Sequence, residues 1–420
     1  MEENIEETPQ IFRKRNWKKS YLVSVGSFYL FQGLYATAIN LYKDNFLVNI
    51  ANVDVSFFGI FTFLYAIPLY LKMFPGLLSD RVPIGRFGRR KPYILIGTLL
   101  YIPCFLILMF SKQTDVTWPW FFSLLGVQWV WVLVDGTLDA LTVDITPENK
   151  KGIMQGVAWG SRGIGGVIAS IILMILASVL GWQVTIALIG LFAVIQAFSG
   201  LFLKEPPIRR ENLPPLKKVF KQTFFNRQVL FGFIFSLIAS VTTASFLFFV
   251  PVFSGIGGVV GLNLGLIYAV GMAGSFLGAV VFGKISDNIG AKKTFIITAI
   301  SFWIGVALWI PIRPGISLIY LFIIALIYGI NIGGFMASSN RIAMELSDVV
   351  FMKNGEPGIE GFMFSTFSAV QNFGTQGLGP LIVSAVSIYL NLPYAFFVLI
   401  PFTLVAILLL KFVKPWIPKQ

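Results

Sequence analysis

The chain has no histidine, one cysteine and few charges: Asp, Glu, Lys and Arg make up 12% of its 420 residues, against about 25% in soluble globular domains. Without histidine, the commonest general base and metal ligand is missing, so any proton carried near neutral pH must ride on a carboxylate. The single Cys104 lies inside an apolar run, which excludes an internal disulfide and a thiolate metal site. No metal site and no cofactor are expected. No nucleophile, base and oxyanion-donor set stands together either, so the reading is not an enzyme. The short alternating segments of a transmembrane barrel are also missing. What remains is apolar: 56% hydrophobic residues, 40 Gly, 42 Phe, 10 Trp and 13 Tyr, with a mean hydropathy of +0.80. These fit packed transmembrane helices with aromatic belts, and the fold class is an all-α membrane protein.

Stretches of about 20 apolar residues fall near 20–41, 55–78, 93–110, 118–143, 152–178 and 182–203, then 229–251, 262–283, 294–312, 316–340, 359–388 and 392–412. Twelve transmembrane helices in two halves of six are therefore expected. The halves are 20–203 and 229–412, preceded by a tail of residues 1–19 and followed by a tail of residues 413–420. Residues 204–228 carry two Pro pairs and seven basic residues, which reads as a linker with a short interfacial helix. No small-residue cleavage site ends a short apolar region after the basic N-terminal segment, so the first span is expected to be retained.

If the loops alternate sides from an inside N-terminus, 26 of the 32 Lys and Arg fall on the inner face, and the outer loops hold Lys43, Lys112 and Arg313. Basic residues favour the cytoplasmic face, so both termini are placed in the cytoplasm of a multi-pass protein of the cell membrane. The formal charge of +13 then reports orientation, and no nucleic-acid partner is expected; the lipid bilayer is the partner.

An internal repeat supports the division into six and six. Gly76-Leu-Leu-Ser79-Asp80 returns as Gly283-Lys-Ile-Ser286-Asp287, and Gly152, Met154 and Gly165 return as Gly361, Met363 and Gly374, at nearly one half-chain offset. Duplicated halves are the organisation of transporters that rock about a central midplane site.

The loop from Gly76 to Gly97 resembles the cytoplasmic signature of the major facilitator superfamily. Ile67, Pro68, Lys72, Gly76, Ser79, Asp80, Pro83, Ile84, Gly88, Arg89, Arg90, Lys91, Pro92 and Tyr93 are similar to the pattern of its folate/biopterin transporter family. Val134, Asp135, Asp139 and Ala140 resemble that family's fourth span, and Gln155, Trp159, Gly160, Arg162, Gly163 and Gly165 its fifth. The resemblance is close over residues 60–170 and loose in the second half, through Asn372 and Gly374. Glu360-Gly361 resembles sugar/cation symporters as much as pterin carriers. The resemblance implies a major facilitator fold and a secondary active transporter moving a pterin-like, folate-like or other aromatic anionic solute by alternating access, with a proton or other cation as coupling partner. A sugar/cation symporter of the same fold, and a non-transporting assembly or pigment-delivery factor, stay open.

Lys72, Asp135, Asp139, Arg162 and Arg341 fall inside expected spans, where each charge costs about 2.5–3.5 kcal/mol at a helix centre. They should face a cavity or one another. Asp135 and Asp139, four residues apart, share one helix face, and helical rise puts Asp135 and Arg162 at similar depths, about 14 and about 17 Å from the cytoplasmic ends. For a folate-like solute, the aspartates suit the N–H edge of an aminopyrimidine, while Lys72 and Arg162 suit the acidic end. The same aspartates are the candidate proton carriers. Trp159 is a stacking candidate; Gln371, at the repeat position of Arg162, and Asn372 are the candidates from the second half. Two plainer readings compete: a cluster that only braces the first half, and a Lys72 that snorkels to the cytoplasm.

Resemblance to the superfamily also implies a conformational latch on the cytoplasmic face. Its members would be Asp80, Arg89, Arg90, Asp287, Asp144 and Glu345; charges that only set topology, or that bind an anion, are the alternatives. Gly163-Ile-Gly165-Gly166 and Gly255-Ile-Gly257-Gly258 follow no strand and read as packing or turn elements. Gly274 with Gly278, and Gly329 with Gly333, are spaced for close helix approach.

Overall fold

The computed structural model of the protein describes residues 19–82, 84, 88, 90–146, 151–201, 215–354 and 360–413. Among these residues there is no strand. In hydrocarbon the backbone must satisfy its own N–H and C=O groups, and an apolar run does so by coiling into a helix. In chain order the helices are α1 (Lys19–Asn45), α2 (Val55–Tyr65), α3 (Ile67–Tyr70), α4 (Met73–Arg81), α5 (Lys91–Phe110), α6 (Trp118–Ile145), α7 (Lys151–Leu201), α8 (Leu216–Phe224), α9 (Arg227–Thr242), α10 (Gly261–Ile289), α11 (Ala291–Ala307), α12 (Leu318–Asn354), α13 (Glu360–Asn372), α14 (Gly379–Ser387), α15 (Leu392–Ala395) and α16 (Ile400–Leu409).

Eight helical stretches among the described residues are long and apolar enough to cross a membrane. One of them, α7, turns within itself at Gly181, where φ is +77° and the helix breaks; it holds what reads in sequence as two spans. The second and eleventh expected spans are interrupted, as α2–α4 and as α13–α14 joined by a π-helical turn at Phe373–Leu378. The ninth is the shorter α11. The sum is consistent with twelve passes. The amphipathic α8 lies where the interfacial helix was expected, with Phe220 against Phe362 and Phe224 against Phe233.

The bundle is held at its tightest points by glycine. α1 runs along the first part of α7, and a Cβ on Gly33 would stand 2.1 Å from the carbonyl oxygen of Arg162, one on Gly165 2.1 Å from that of Leu30. α10 and α12 meet in the same way: a Cβ on Gly278 would lie 2.0 Å from the Ile330 oxygen, and one on Gly333 2.0 Å from the Ser275 oxygen. Both sets of glycines read from sequence as packing elements thus bring backbones together. The two parts of the chain touch through α7 against α10, α2 against α14 and α4 against α13.

Two expectations need correction. The second span is not one helix, because Pro68 and Pro75 have no N–H to give to the i−4 carbonyls. The backbone answers with short i−3 bonds, Leu71 N–H to the Pro68 oxygen and Phe74 N–H to the Leu71 oxygen. Lys43, read as part of an outer loop, lies with Asp44 inside α1, and both are buried; α1 continues past them into a π-helical turn, Phe46–Ile50.

Candidate functional site

The break in the second span sets the position of Lys72. Lys72 is the residue before α4, between Pro68 and Pro75, and its stem passes Gly136 of α6, where a Cβ would lie 3.6 Å from the Lys72 Cγ. From this open turn the ammonium reaches between the two aspartates of α6. Lys72 Nζ donates to Asp135 Oδ2 at 2.6 Å and to Asp139 Oδ2 at 2.7 Å. From α7, Arg162 Nη2 donates to Asp135 Oδ1 at 2.8 Å. Lys72 therefore does not snorkel; it closes a cluster of two cations and two anions whose formal charges cancel.

Two residues of α1 complete the cluster. Gln32 donates to Asp135 Oδ1 at 3.0 Å and accepts from Arg162, and Tyr29 donates its phenol proton to Asp139. The Arg162 guanidinium carbon lies 4.9 Å from the Tyr29 ring and 4.8 Å from the Trp159 ring. A cation held between two aromatic faces gains on the order of 0.5–2 kcal/mol from each, and the rings fix the plane of the guanidinium. Neither Gln32 nor Tyr29 carries a charge at neutral pH, so the cost of burying charge does not point to them. A signal was present nonetheless: Gln32 is an amide in the middle of an apolar span, and Tyr29 stands three residues before it on the same helix face.

Burial is graded across the cluster. The side chains of Lys72 and Asp135 are 5% and 7% exposed, those of Asp139 and Arg162 15% and 20%. The last two are the more exposed edges of the cluster, with Trp159 exposed as well. Arg162 Nε is buried and has no hydrogen-bond partner, a donor left over once Asp135 and Gln32 are served.

The second-half candidates lie elsewhere. Gln371 donates to Ser339 of α12 at 3.4 Å, and Gln371 and Asn372 are half-buried at the end of α13, next to the π-helical turn. Neither is bonded to the cluster among the described residues. Of the latch candidates, Arg89 and the side chains of Asp80, Asp144 and Asp287 lie outside the described residues. Arg90 is buried, and Glu345 pairs with Arg341, one turn away, at 3.1 Å.

Residues 21–350 match the pattern of the Major Facilitator Superfamily. The chain belongs to that superfamily. Among curated major facilitator relatives and other transporters, it is 28% identical over 153 residues to "Probable folate-biopterin transporter 4" of Arabidopsis thaliana, a match covering 36% of this chain and 31% of the relative. It is 24% identical over 262 residues to "Multidrug resistance protein 3" of Bacillus subtilis (strain 168), covering 59% of this chain and 48% of the relative. The matches thus span less than half the length of either relative. In fold, this major facilitator chain is similar to a bacterial homologue of the human lysosomal transporter Spinster in an inward-facing, unoccupied conformation, with a TM-score of 0.67, 14% identity and coverage of 96% and 100% of the two chains. It is also similar to a point mutant of the nucleoside transporter NupG, with a TM-score of 0.65, 14% identity and coverage of 94% and 99%.

Proposed function

We propose that the chain is a secondary transporter of the cell membrane, with both termini in the cytoplasm, that moves a small aromatic anion of pterin or folate type by alternating access with a proton as coupling ion. The observation that carries this reading is the arginine held between two aromatic rings at the accessible edge of a buried ion cluster. An acidic group can approach the partly exposed Arg162, an aromatic ring can stack on the exposed Trp159, and Asp139 offers an acceptor for ring N–H groups. The resemblance of the Arabidopsis relative, a probable folate-biopterin transporter by name, supports the same class of solute.

Charge balance supports the coupling ion. The cluster sums to zero, so an anionic solute adds a buried negative charge to the carrier, and a co-transported proton keeps the loaded carrier neutral as a whole. The latch on the cytoplasmic face, with Asp80, Arg89, Arg90, Asp144, Asp287 and Glu345, is part of the same proposal.

The test is uptake of folate and pterins into proteoliposomes. Arg162→Ala and Asp135→Asn are each expected to abolish uptake with the protein still inserted. Trp159→Ala is expected to raise the half-saturating concentration by about twofold to tenfold, the equivalent of about 0.5–1.5 kcal/mol of ring contact. Wild-type rates in the first two variants would discard the site. Sodium-dependent uptake of a glycoside, with no response to folates or pterins, would replace the aromatic solute by a sugar.

A further inference from the structure

A second buried ion pair lies about 18 Å along α1 from Gln32, twelve residues at helical rise. Lys43 and Asp44 are 3% and 6% exposed and pair with each other. The Lys43 ammonium also stands over the rings of Phe58 and Tyr65 on α2, at 5.5 and 5.2 Å. Asp44 lies one helical turn before Val48, and Val48 Cγ1 would be 3.5 Å from a Cβ on Gly255. Asp44 is thus one helical turn from the seam with the π-helical turn at Pro251–Ile256.

The neighbouring residues close that seam. Asn49 donates to Asn45 at 2.8 Å, Ser254 donates to Asn49 Oδ1 at 2.9 Å, and the Phe58 ring meets Phe248 at 5.5 Å. The titratable groups facing Asp44 are Lys43 on its own helix, Tyr65 on α2 and Tyr268 on α10. The turn at Pro251–Ile256 brings none.

We infer that Asp44 is the group that takes up the coupling proton, from the side of the membrane opposite the termini, while Lys43 is its counter-ion; this rests on the proton-coupled reading above. Three observations favour Asp44 over the aspartates of the central cluster. Asp135 is held by Lys72, Arg162 and Gln32, and Asp139 by Lys72 and Tyr29, so a proton must displace two or three bonded partners at either. Asp44 has a single bonded partner, Lys43, which also rests on two aromatic faces. Asp44 also lies where the two halves of the chain meet, facing Tyr268 of α10 as well as Tyr65 of α2.

The step is a simple one. A proton from water on that side binds a carboxylate oxygen of Asp44, the ion pair with Lys43 is given up, and no covalent bond of the protein breaks. A neutral carboxyl is buried at lower cost than a charged one, so protonation favours closure of this end and opening of the other. Asp135 and Asp139 then remain ionised through the cycle and serve the solute.

Difference infrared spectroscopy of the purified full chain on acidification tests this without any solute. The high-frequency carbonyl band of a buried protonated carboxyl should appear in the wild type, vanish in Asp44→Asn and persist in Asp135→Asn. In Lys43→Gln its midpoint should move to higher pH by about one to two units, since the carboxylate has lost its counter-ion. A band that survives Asp44→Asn, or one that is lost in Asp135→Asn instead, overturns the inference, as does a wild type with no such band. In proteoliposomes, Asp44→Asn should lose accumulation driven by a pH gradient and keep solute-for-solute exchange; gradient-driven accumulation at the wild-type level overturns it too. Failure of the wild type to carry any aromatic anion would sink the solute reading alone, and the infrared band would still decide Asp44.

Discussion

Lys72→Met is expected to lower the stability of the folded protein by about 3–5 kcal/mol, the usual loss when one partner of a buried ion pair is removed. The ammonium sits between Asp135 and Asp139 at 2.6 and 2.7 Å. Without it, Asp139 keeps Tyr29 as its partner and has no cation, while Asp135 keeps Arg162 and Gln32. Two carboxylates one helical turn apart would then share a single positive charge in a medium that screens them poorly. The double variant Lys72→Met/Asp139→Asn restores neutrality, with Arg162 opposite Asp135, and should recover most of the lost stability. Transport should stay lost in the double variant, because the acceptor edge of the site is gone. Thermal unfolding in detergent reads the first effect and vesicle uptake the second. A single variant as stable as wild type would show that the cluster is open to water and that its charges are satisfied there.

Gly165→Ala should be as damaging for a different reason. A Cβ at this position would stand 2.1 Å from the Leu30 oxygen and 2.7 Å from the Leu34 nitrogen. Both are backbone atoms, so relief requires α1 and α7 to separate by on the order of 1 Å. Overpacking of this kind costs about 1–3 kcal/mol or more. The same displacement pulls Arg162 on α7 away from Gln32 on α1, since the two are bonded across this interface. Loss of uptake should therefore exceed what the loss of folded protein accounts for. Gly283→Ala is the control: it stands in α10 with no atom within 4 Å of its Cβ position, and Ala there should be neutral or slightly stabilising, by up to about 1 kcal/mol. Equal behaviour of the two alanine variants would contradict the close approach of α1 and α7.

These two variants separate two kinds of knowledge about the site. That Asp135 and Asp139 share a face follows from the period of a helix, and that a charge at Lys72 must find company follows from the cost of burying it. The identity of the company does not follow. Lys72 meets its partners across 63 and 67 residues, Arg162 meets Gln32 across 130, and Tyr29 meets Asp139 across 110. Gln371 illustrates the reverse. Repeat symmetry puts it opposite Arg162, yet its bond is to Ser339, because position in a repeat fixes depth in the membrane and leaves open which neighbour a rotating side chain meets.

The membrane environment, the all-helical class, the approximate span positions and the break near Gly181 are properties of short stretches of chain, and hydropathy and backbone sterics are enough to set them. The burial of Lys43 and Asp44 was decided only by tertiary structure: their local sequence is that of a loop, and what covers them is Phe58 and Tyr65 of α2 and Tyr268 of α10. The same holds for the closed ring of Lys72, Asp135, Arg162, Gln32, Tyr29 and Asp139. A charge in lipid demands a partner, and that demand is written locally; the partner is chosen by whichever helices the glycines allow to come close.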